Sequence, residues 1–151
     1  MDRVMDNGNI LAHQENRTVR FIERWPTHEP RMNDPNYKYF HEARERMEKL
    51  GLLKCVVDSD YHFGEIQLHH SKLEFAHIND ADINKFNELY GLHLNDAQFQ
   101  VFIESEGNLE ALCELHHIGQ EGIHGLPEPE WRALRVAKNG QPIVTIIKEN
   151  K

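Results

Sequence analysis

Histidines are concentrated in the middle of this chain, at spacings that suit metal binding and proton transfer. Seven of the eleven lie between positions 69 and 124, including the adjacent pairs His69-His70 and His116-His117, with His124 seven residues after the second pair. A neutral imidazole binds divalent transition metals and can take a proton from water near neutral pH. The clusters therefore predict a metal site with a general base beside it.

The first histidine pair follows an extended run of residues. Residues 63–68 are typical of a strand that delivers His69 and His70. Consecutive residues on a strand point to opposite faces, so one imidazole can face a metal while the other enters an adjacent pocket. A single strand end can thus supply both a ligand and a separate base.

The second cluster has two interpretations. Leu109, Leu112, Cys113 and His116 recur at helical spacing after Asn108, which is a suitable helix cap. A short apolar run fits a buried strand equally well, because periodicity alone does not separate the two. The residues themselves leave helix and strand open.

Patterns elsewhere predict a mixture of helices and strands. A helix begins at Asp34-Pro35 and ends at Gly51. Its inward-facing residues are Phe40, Ala43, Met47 and Leu50. A further helix is predicted to begin at residues 80–82 and to end at Gly91, and a short helix or turn is predicted around 99–103. Another helix is predicted from 128 to 140, where Trp131 and Leu134 face inward. Strands are predicted over 18–25, 52–57 and 142–147.

Composition indicates one acidic domain without a membrane span. The chain has 151 residues, 39% hydrophobic and 28% charged, with a mean hydropathy of -0.68. No apolar run approaches the ~18 residues needed to cross a membrane, and the first ten residues lack a signal-peptide core, so we expect a cytoplasmic protein. Residues 51–126 hold three Lys or Arg and thirteen Asp or Glu, a net charge of -10. This excess argues against nucleic-acid binding unless a divalent metal offsets it.

Three short stretches carry a resemblance to a known family. They are Leu68-His69-His70, then Asn108-Leu109 with Leu112-Cys113 and His116-His117, then Gly122-Ile123-His124. They resemble the HNH endonucleases of the ββα-metal (His-Me finger) fold, particularly short phage and actinobacterial-type members, over residues 65–131. The resemblance implies an α+β fold with a small ββα core at about 65–126, inside a single domain of 34–151. Additional helices and the C-terminal strand surround that core, and residues 1–33 form an N-terminal extension.

The resemblance also implies a role for each matching residue. In the family, the first residue of the paired motif binds the metal and the second is the general base, which makes His69 a ligand and His70 the base. Asn108 matches the asparagine that fixes the loop joining the two strands. His117 and His124 match further metal-binding histidines. The resemblance also places residues 109–113 on the second strand rather than on a helix.

The cysteines depart from the commoner family pattern. Most members that carry the motif Leu-Cys-x-x-Cys-His fold around a structural zinc held by two cysteine pairs, whereas this chain has only Cys55 and Cys113 and has His116 in place of the second cysteine of the motif. Since structural zinc needs four ligands, we expect no structural zinc and interpret Cys113 as a small buried residue. The alternative is a zinc site of Cys55, Cys113, His116 and one further ligand.

The last histidines depart from the pattern as well. Gly119 and Gly122 interrupt the stretch from His117 to His124, and two glycines weaken a helix that would put both imidazoles on one face. His116 is therefore an alternative ligand to His117.

One divalent cation is the expected cofactor. Imidazole ligands favour zinc, nickel, manganese or cobalt, while phosphate and water in the open positions would admit magnesium, so Mg, Mn, Ni and Zn are not distinguished. Acidic residues near His69 are candidates to orient the ligand imidazoles. They are Asp58, Asp60, Glu65 and Glu74.

The implied activity is metal-dependent hydrolysis of DNA phosphodiester bonds. Arg132, Arg135 and Lys138 fall three apart on a predicted helix and form a basic stripe for phosphate contacts. One alternative is a catalytically inactive ββα-metal domain that engages a phage or host protein. Another is a small metal-stabilised fold without catalysis.

Overall fold

The computed structural model describes residues 34–120 and 122–138 and, within the first 23 residues, 5–6, 9–10, 12–13 and 15–23. These ranges contain five α-helices, a 3-10 helix and two antiparallel two-stranded sheets. The predicted α+β class is therefore confirmed, while the predicted strand over 142–147 lies outside the described residues. None of the helices in these ranges is long and apolar enough to cross a membrane.

The strand pair that carries the first histidines joins segments far apart in the sequence. The elements in chain order are β1 (Met5–Asp6), β2 (Asn9–Ile10), α1 (Tyr37–Lys49), β3 (Ile66–His70), a 3-10 helix (Phe75–Asp80), α2 (Ile83–Tyr90), α3 (Asp96–Ile103), β4 (Leu109–Cys113), α4 (Glu114–His117) and α5 (Glu128–Arg135). β1 pairs with β2, and β3 pairs with β4 so that Ile66 lies opposite Cys113 and His70 opposite Leu109. The strand interpretation of residues 109–113 is confirmed.

The helix predicted to end at Gly91 is confirmed, and the segment around 99–103 belongs to a helix rather than a turn. The ends of both helices follow from local chemistry. Asp82 caps α2 by accepting a hydrogen bond from the backbone N–H of Lys85, and Gly91 ends it in the left-handed region at a φ of 66°. Asn95 and Gln98 form a reciprocal capping box at the start of α3. The two helices share a buried cluster of Phe86, Phe99 and Ile103.

The first long helix differs from its prediction at its start and in one inward-facing residue, whereas Gly51 ends it as predicted, in the left-handed region at a φ of 71°. Asn36, not Asp34, is the cap of α1, and the Asp34 carboxylate instead accepts a hydrogen bond from the Asn36 N–H at 2.9 Å. Ala43 and Met47 are buried as predicted, but Leu50 is 69% exposed. Leu50 caps the C-terminus of the helix, where the chain turns away from the buried face.

Two predicted strands are wrong in the described part of the chain. Residues 15–23 have no regular secondary structure, which excludes most of the strand over 18–25. Residues 52–57 are also irregular. The Val56 N–H donates to the Ala111 carbonyl at 3.0 Å, which holds this segment beside β4 without a strand ladder. Val57 is buried, but Leu52 and Val56 are 49% and 44% exposed, so the apolar β-branched content did not predict the conformation of this segment.

β4 packs against a different helix on each of its faces. Leu109 contacts Ala43 and Met47 of α1, whereas Leu112 packs with Trp131 of α5. The odd and even positions of a strand point to opposite sides, so the β3–β4 sheet lies between these two helices. The inward-facing residues of α5 were predicted correctly, although the helix ends at Arg135 rather than extending to residue 140.

We expect Leu112→Ala to lower the free energy of unfolding by about 2–5 kcal/mol, because the fully buried side chain would leave a cavity between β4 and α5. Urea denaturation followed by far-ultraviolet circular dichroism measures the change. Leu89→Ala is the matched control, since Leu89 is 73% exposed on α2. Equal losses for the two variants would contradict the assigned core.

Candidate metal centre and adjoining cleft

Three histidines from separate elements converge beside the β3–β4 sheet. His69 is the penultimate residue of β3, His117 is the last residue of α4, and His124 lies in the loop that follows. One ring nitrogen from each lies within 4.8 Å of the other two. Their ring centroids are 4.9–5.3 Å apart, with interplanar angles of 59° to 83°. We call His69, His117 and His124 the histidine triad.

Strand pairing and two glycines bring the triad together. α4 begins directly after β4, so His117 lies close to the strand that carries His69. The loop then folds back, and the His124 N–H donates to the His117 carbonyl at 3.1 Å. A Cβ atom at Gly119 or Gly122 would come within 2.5 Å or 2.7 Å of the Leu115 carbonyl oxygen. His124 therefore returns to α4 by a tight loop, not by a second helical turn.

The hydrogen bonding of the triad fits a metal ion. Nδ1 of His69 is buried and makes no hydrogen bond, although Oε1 of Glu74 lies 3.1 Å away and also 3.4 Å from Nε2 of His124. Nδ1 of His117 donates to the Gln67 side-chain oxygen at 2.7 Å. That bond leaves the lone pair of His117 Nε2 for a ligand, the arrangement usual for metal-binding histidines.

Burial keeps the triad imidazoles uncharged. It lowers the pKa of His69 to about 3, with a further contribution from His117 and His124. Burial and the neighbouring His124 lower the pKa of His117 to about 4, and burial lowers the pKa of His124. The pKa of the Glu74 carboxyl is raised by burial. Neutral imidazoles are the form that binds a cation, so the site is ready for one near neutral pH.

His70 occupies the opposite face of β3 from His69. Its Nε2 lies 3.0 Å from Oε1 of Glu104, a carboxylate with no exposed surface. The rings of Phe40 and Phe75 lie 6.1 Å and 6.0 Å from the imidazole. The structure therefore separates His70 from the triad, as the strand geometry predicted, and holds its ring in one orientation.

Asn108 fixes the chain that leaves β3. Its side-chain oxygen accepts hydrogen bonds from the N–H groups of Lys72 and Leu73 at 2.8 and 3.0 Å. Its amide nitrogen donates to the carbonyls of Leu73 and Ile103 at 3.1 and 3.0 Å. The residue has no exposed surface. One side chain thus satisfies four backbone groups next to the histidine pair.

A cleft of about 740 Å³ opens beside these residues. Both members of the first histidine pair and His124 line it, together with Lys72, Arg132 and Arg135. Arg132 pairs with Glu128 at 2.6 Å and Arg135 with Glu110 at 3.2 Å, so both guanidinium groups already have carboxylate partners. Lys138 is exposed and does not line the cleft. Two of the three predicted basic residues thus adjoin the histidines.

His116 does not join the triad. It is buried, and its Nδ1 lies 3.2 Å from Sγ of Cys113 and 3.5 Å from Sγ of Cys55. The geometry selects His117 over the alternative ligand His116. It also adds His62 to this second group of side chains, a residue that the sequence did not single out because it stands alone in an irregular segment.

Some residues that support the triad and His70 were not predicted from the sequence. Glu104 lies 34 positions from His70, and Gln67 lies 50 positions from His117. Residues so far apart in the sequence form no local pattern from which their contact could be predicted. Glu74, one of four acidic candidates, is the one placed against the triad.

Comparison with known proteins assigns no family. The chain matches no protein-family model, no curated protein and no solved structure. Any functional argument therefore rests on the geometry of the site.

We expect Asn108→Ala to lower the free energy of unfolding by roughly 3 kcal/mol, because four buried or partly buried backbone groups lose a partner. Urea denaturation measures the loss. Asn79→Ala, at an exposed position of the 3-10 helix, is the matched control. A loss no larger than that of the control would rule out the structural role of Asn108.

We also expect the metal-free protein to lose stability as the pH falls from about 6.5 towards 4. The unfolded chain protonates its histidines near pH 6.5, whereas the pKa values of folded His69 and His117 are about 3 and about 4. The unfolded state then binds more protons in this window, so stability rises with pH.

Denaturant midpoints measured across this window check the expectation. His69→Asn and His117→Asn should flatten the pH dependence, while His93→Asn, at an exposed position, should leave it unchanged. An identical slope in wild type and in both triad variants would contradict the neutral, buried state of these imidazoles.

Proposed function

We propose that the protein is a metal-dependent HNH-type endonuclease that hydrolyses DNA phosphodiester bonds. The observation that carries the proposal is the convergence of His69, His117 and His124 on a β3–β4–α4 unit whose cleft also contains His70. This arrangement would supply a cation site with a separate base beside it. The matching order of residues in the resembling family is a second, weaker support.

The triad residues would hold one divalent cation. When bound, the cation would offset negative charge on the phosphate and on the leaving oxygen. Three imidazoles leave open positions for substrate and water, which is typical of catalytic rather than structural sites. Glu74, between His69 and His124, adds a carboxylate that favours a cation there.

His70 would act as the general base that takes a proton from the attacking water. Its Nε2 faces the Glu104 carboxylate, so the proton of the neutral ring belongs on Nε2 and Nδ1 carries the lone pair. When Nδ1 takes the proton, the buried carboxylate stabilises the imidazolium. Asn108 would act indirectly by holding the loop after β3 and thereby the position of His70.

Arg132, Arg135 and Lys72 would contact the DNA backbone from the walls of the cleft. To do so, Arg132 and Arg135 must exchange Glu128 and Glu110 for phosphate oxygens. Lys138, outside the cleft, would contact phosphates further along the strand. These contacts carry no base-reading geometry, so we expect non-specific or structure-directed cleavage.

The same ion pairs favour a second candidate function. With Arg132 and Arg135 already neutralised and a net charge of -10 over residues 51–126, the surface around the cleft suits a basic protein partner better than a nucleic acid. In that case the domain would bind a metal without catalysis and engage a phage or host protein.

We expect the full-length protein to nick supercoiled plasmid DNA in the presence of Mg, Mn, Ni or Zn. His70→Ala should reduce the rate by about 10²–10⁴-fold, because it removes the proton acceptor. His70→Ala should also leave metal affinity, measured by calorimetric titration, within about twofold of wild type, since His70 is not a ligand. Gel electrophoresis of nicked and linear products measures the rate.

His93→Ala controls for the loss of a histidine outside the cleft. His117→Ala should lose both metal binding at the triad and cleavage. Cleavage by His70→Ala at the wild-type rate would remove His70 as the base. If the triad binds metal but none of the metals supports cleavage, the nuclease proposal is wrong and the interaction module is favoured.

A further inference from the structure

A second cluster of ligand-type side chains lies apart from the triad and the cleft. Sγ of Cys55, Sγ of Cys113 and one ring nitrogen each of His62 and His116 all lie within 4.8 Å of one another. Cys113 and His116 belong to the β4–α4 junction, whereas Cys55 and His62 come from the irregular segment between α1 and β3. Two distant parts of the chain thus contribute two ligands each.

We propose that Cys55, His62, Cys113 and His116 bind a structural zinc ion. Two thiolates and two imidazoles form a complete tetrahedral set, with no position left open for substrate, which is the composition of structural rather than catalytic zinc. The expectation of no structural zinc depended on the lack of a fourth ligand, and His62 supplies one. The proposal is independent of the proposed nuclease activity.

The distances fit a tetrahedron around zinc. With Zn–S near 2.3 Å and Zn–N near 2.0–2.1 Å, a sulfur and a nitrogen ligand are about 3.5 Å apart. Nδ1 of His116 lies 3.2 Å from the Cys113 sulfur and 3.5 Å from the Cys55 sulfur. The rings of His62 and His116 are nearly perpendicular, at 84°, with centroids 5.2 Å apart. Two edges of the tetrahedron are therefore already present.

Hydrogen bonds around the sulfurs favour thiolates. Backbone N–H groups of Phe63 and His116 and the side chain of His62 make hydrogen bonds to the Cys113 sulfur. The Cys55 sulfur also has backbone hydrogen bonds, from Cys113 and Val57. Amide groups directed at sulfur stabilise its negative charge, as metal-bound thiolates require.

Hydrogen bonding without a metal ion accounts for only part of this cluster. A thiol of Cys113 donating to His116 would satisfy both groups without any other residue. It would not explain why Cys55 and the exposed His62 converge on the same point. Zinc binding would release one proton from each cysteine to solvent, and the two thiolates would balance the charge of the cation.

The site has a structural task. Residues 51–65 form no helix or strand, and backbone hydrogen bonds such as Leu115 N–H to Phe63 carbonyl connect them to β4 and α4. A zinc ion would fix this segment at two points. Because His116 and His117 are neighbours on α4, it would also hold the helix that presents His117 to the triad.

Cobalt substitution of the full-length protein tests the proposal. Refolding with cobalt should produce a thiolate-to-cobalt charge-transfer band and the visible bands of tetrahedral cobalt. A His69→Ala/His117→Ala variant, which lacks the triad, should keep these bands. A spectrum without the thiolate band would overturn the proposal, because cobalt bound only at the triad has no sulfur ligand.

His62→Ala is the most informative single variant, since His62 is exposed and its loss leaves the core packing intact. In the His69→Ala/His117→Ala background, which removes the triad, we expect His62→Ala to lower the zinc affinity at least roughly tenfold and His93→Ala to leave it unchanged. Thiol-modifying reagent should react with both cysteines of wild type at least tenfold faster after zinc is removed by a chelator. Equal reactivity with and without zinc, or unchanged affinity in His62→Ala, would refute the four-ligand site.

Discussion

The antiparallel pairing of β3 with β4 is the constraint on which the rest of this structure depends. Its register places His69 opposite Glu110 and His70 opposite Leu109, which directs the two imidazoles to opposite faces. A shift of the pairing register by one residue would move the side chains of a strand to the opposite face of the sheet. The register is held because Leu109 must pack against α1 and Leu112 against α5. Packing on both sides of one strand therefore decides which histidine joins the triad.

The short helix α4 connects the two candidate metal sites. His116 and His117 are consecutive residues, yet one lies with the cysteines and the other with His69 and His124. Consecutive helical positions are separated by about 100°, so neighbouring side chains reach different surroundings. We infer that the Cys55–His62–Cys113–His116 site would act as the rigid support, while the triad would keep open positions for substrate. The ligands differ accordingly: the first site has two cysteines and two histidines, whereas the triad has three histidines.

Charge explains how an acidic domain could still act on a phosphodiester. Glu74 and Glu104 lie directly against ring nitrogens, where carboxylates favour a cation or a developing imidazolium. Glu110 and Glu128 instead pair with the cleft arginines. Some of the acidic side chains are therefore paired with specific groups, and their charge does not simply repel a phosphate. In the nuclease proposal, phosphate oxygens replace Glu110 and Glu128 as partners of the arginines. In the interaction-module proposal, these ion pairs remain.

The sequence by itself determined the α+β class and the helix α2, and it singled out the histidines to which the triad belongs, because caps, alternation and adjacent histidines are local signals. Tertiary structure alone decided that His117 rather than His116 joins His69, and that His62 completes a second cluster with Cys55. It also decided that residues 52–57 lie beside β4 without forming a strand. These outcomes depend on which distant segments pack together. Packing depends on shape and burial across the whole chain, and neither has a fixed spacing in the sequence.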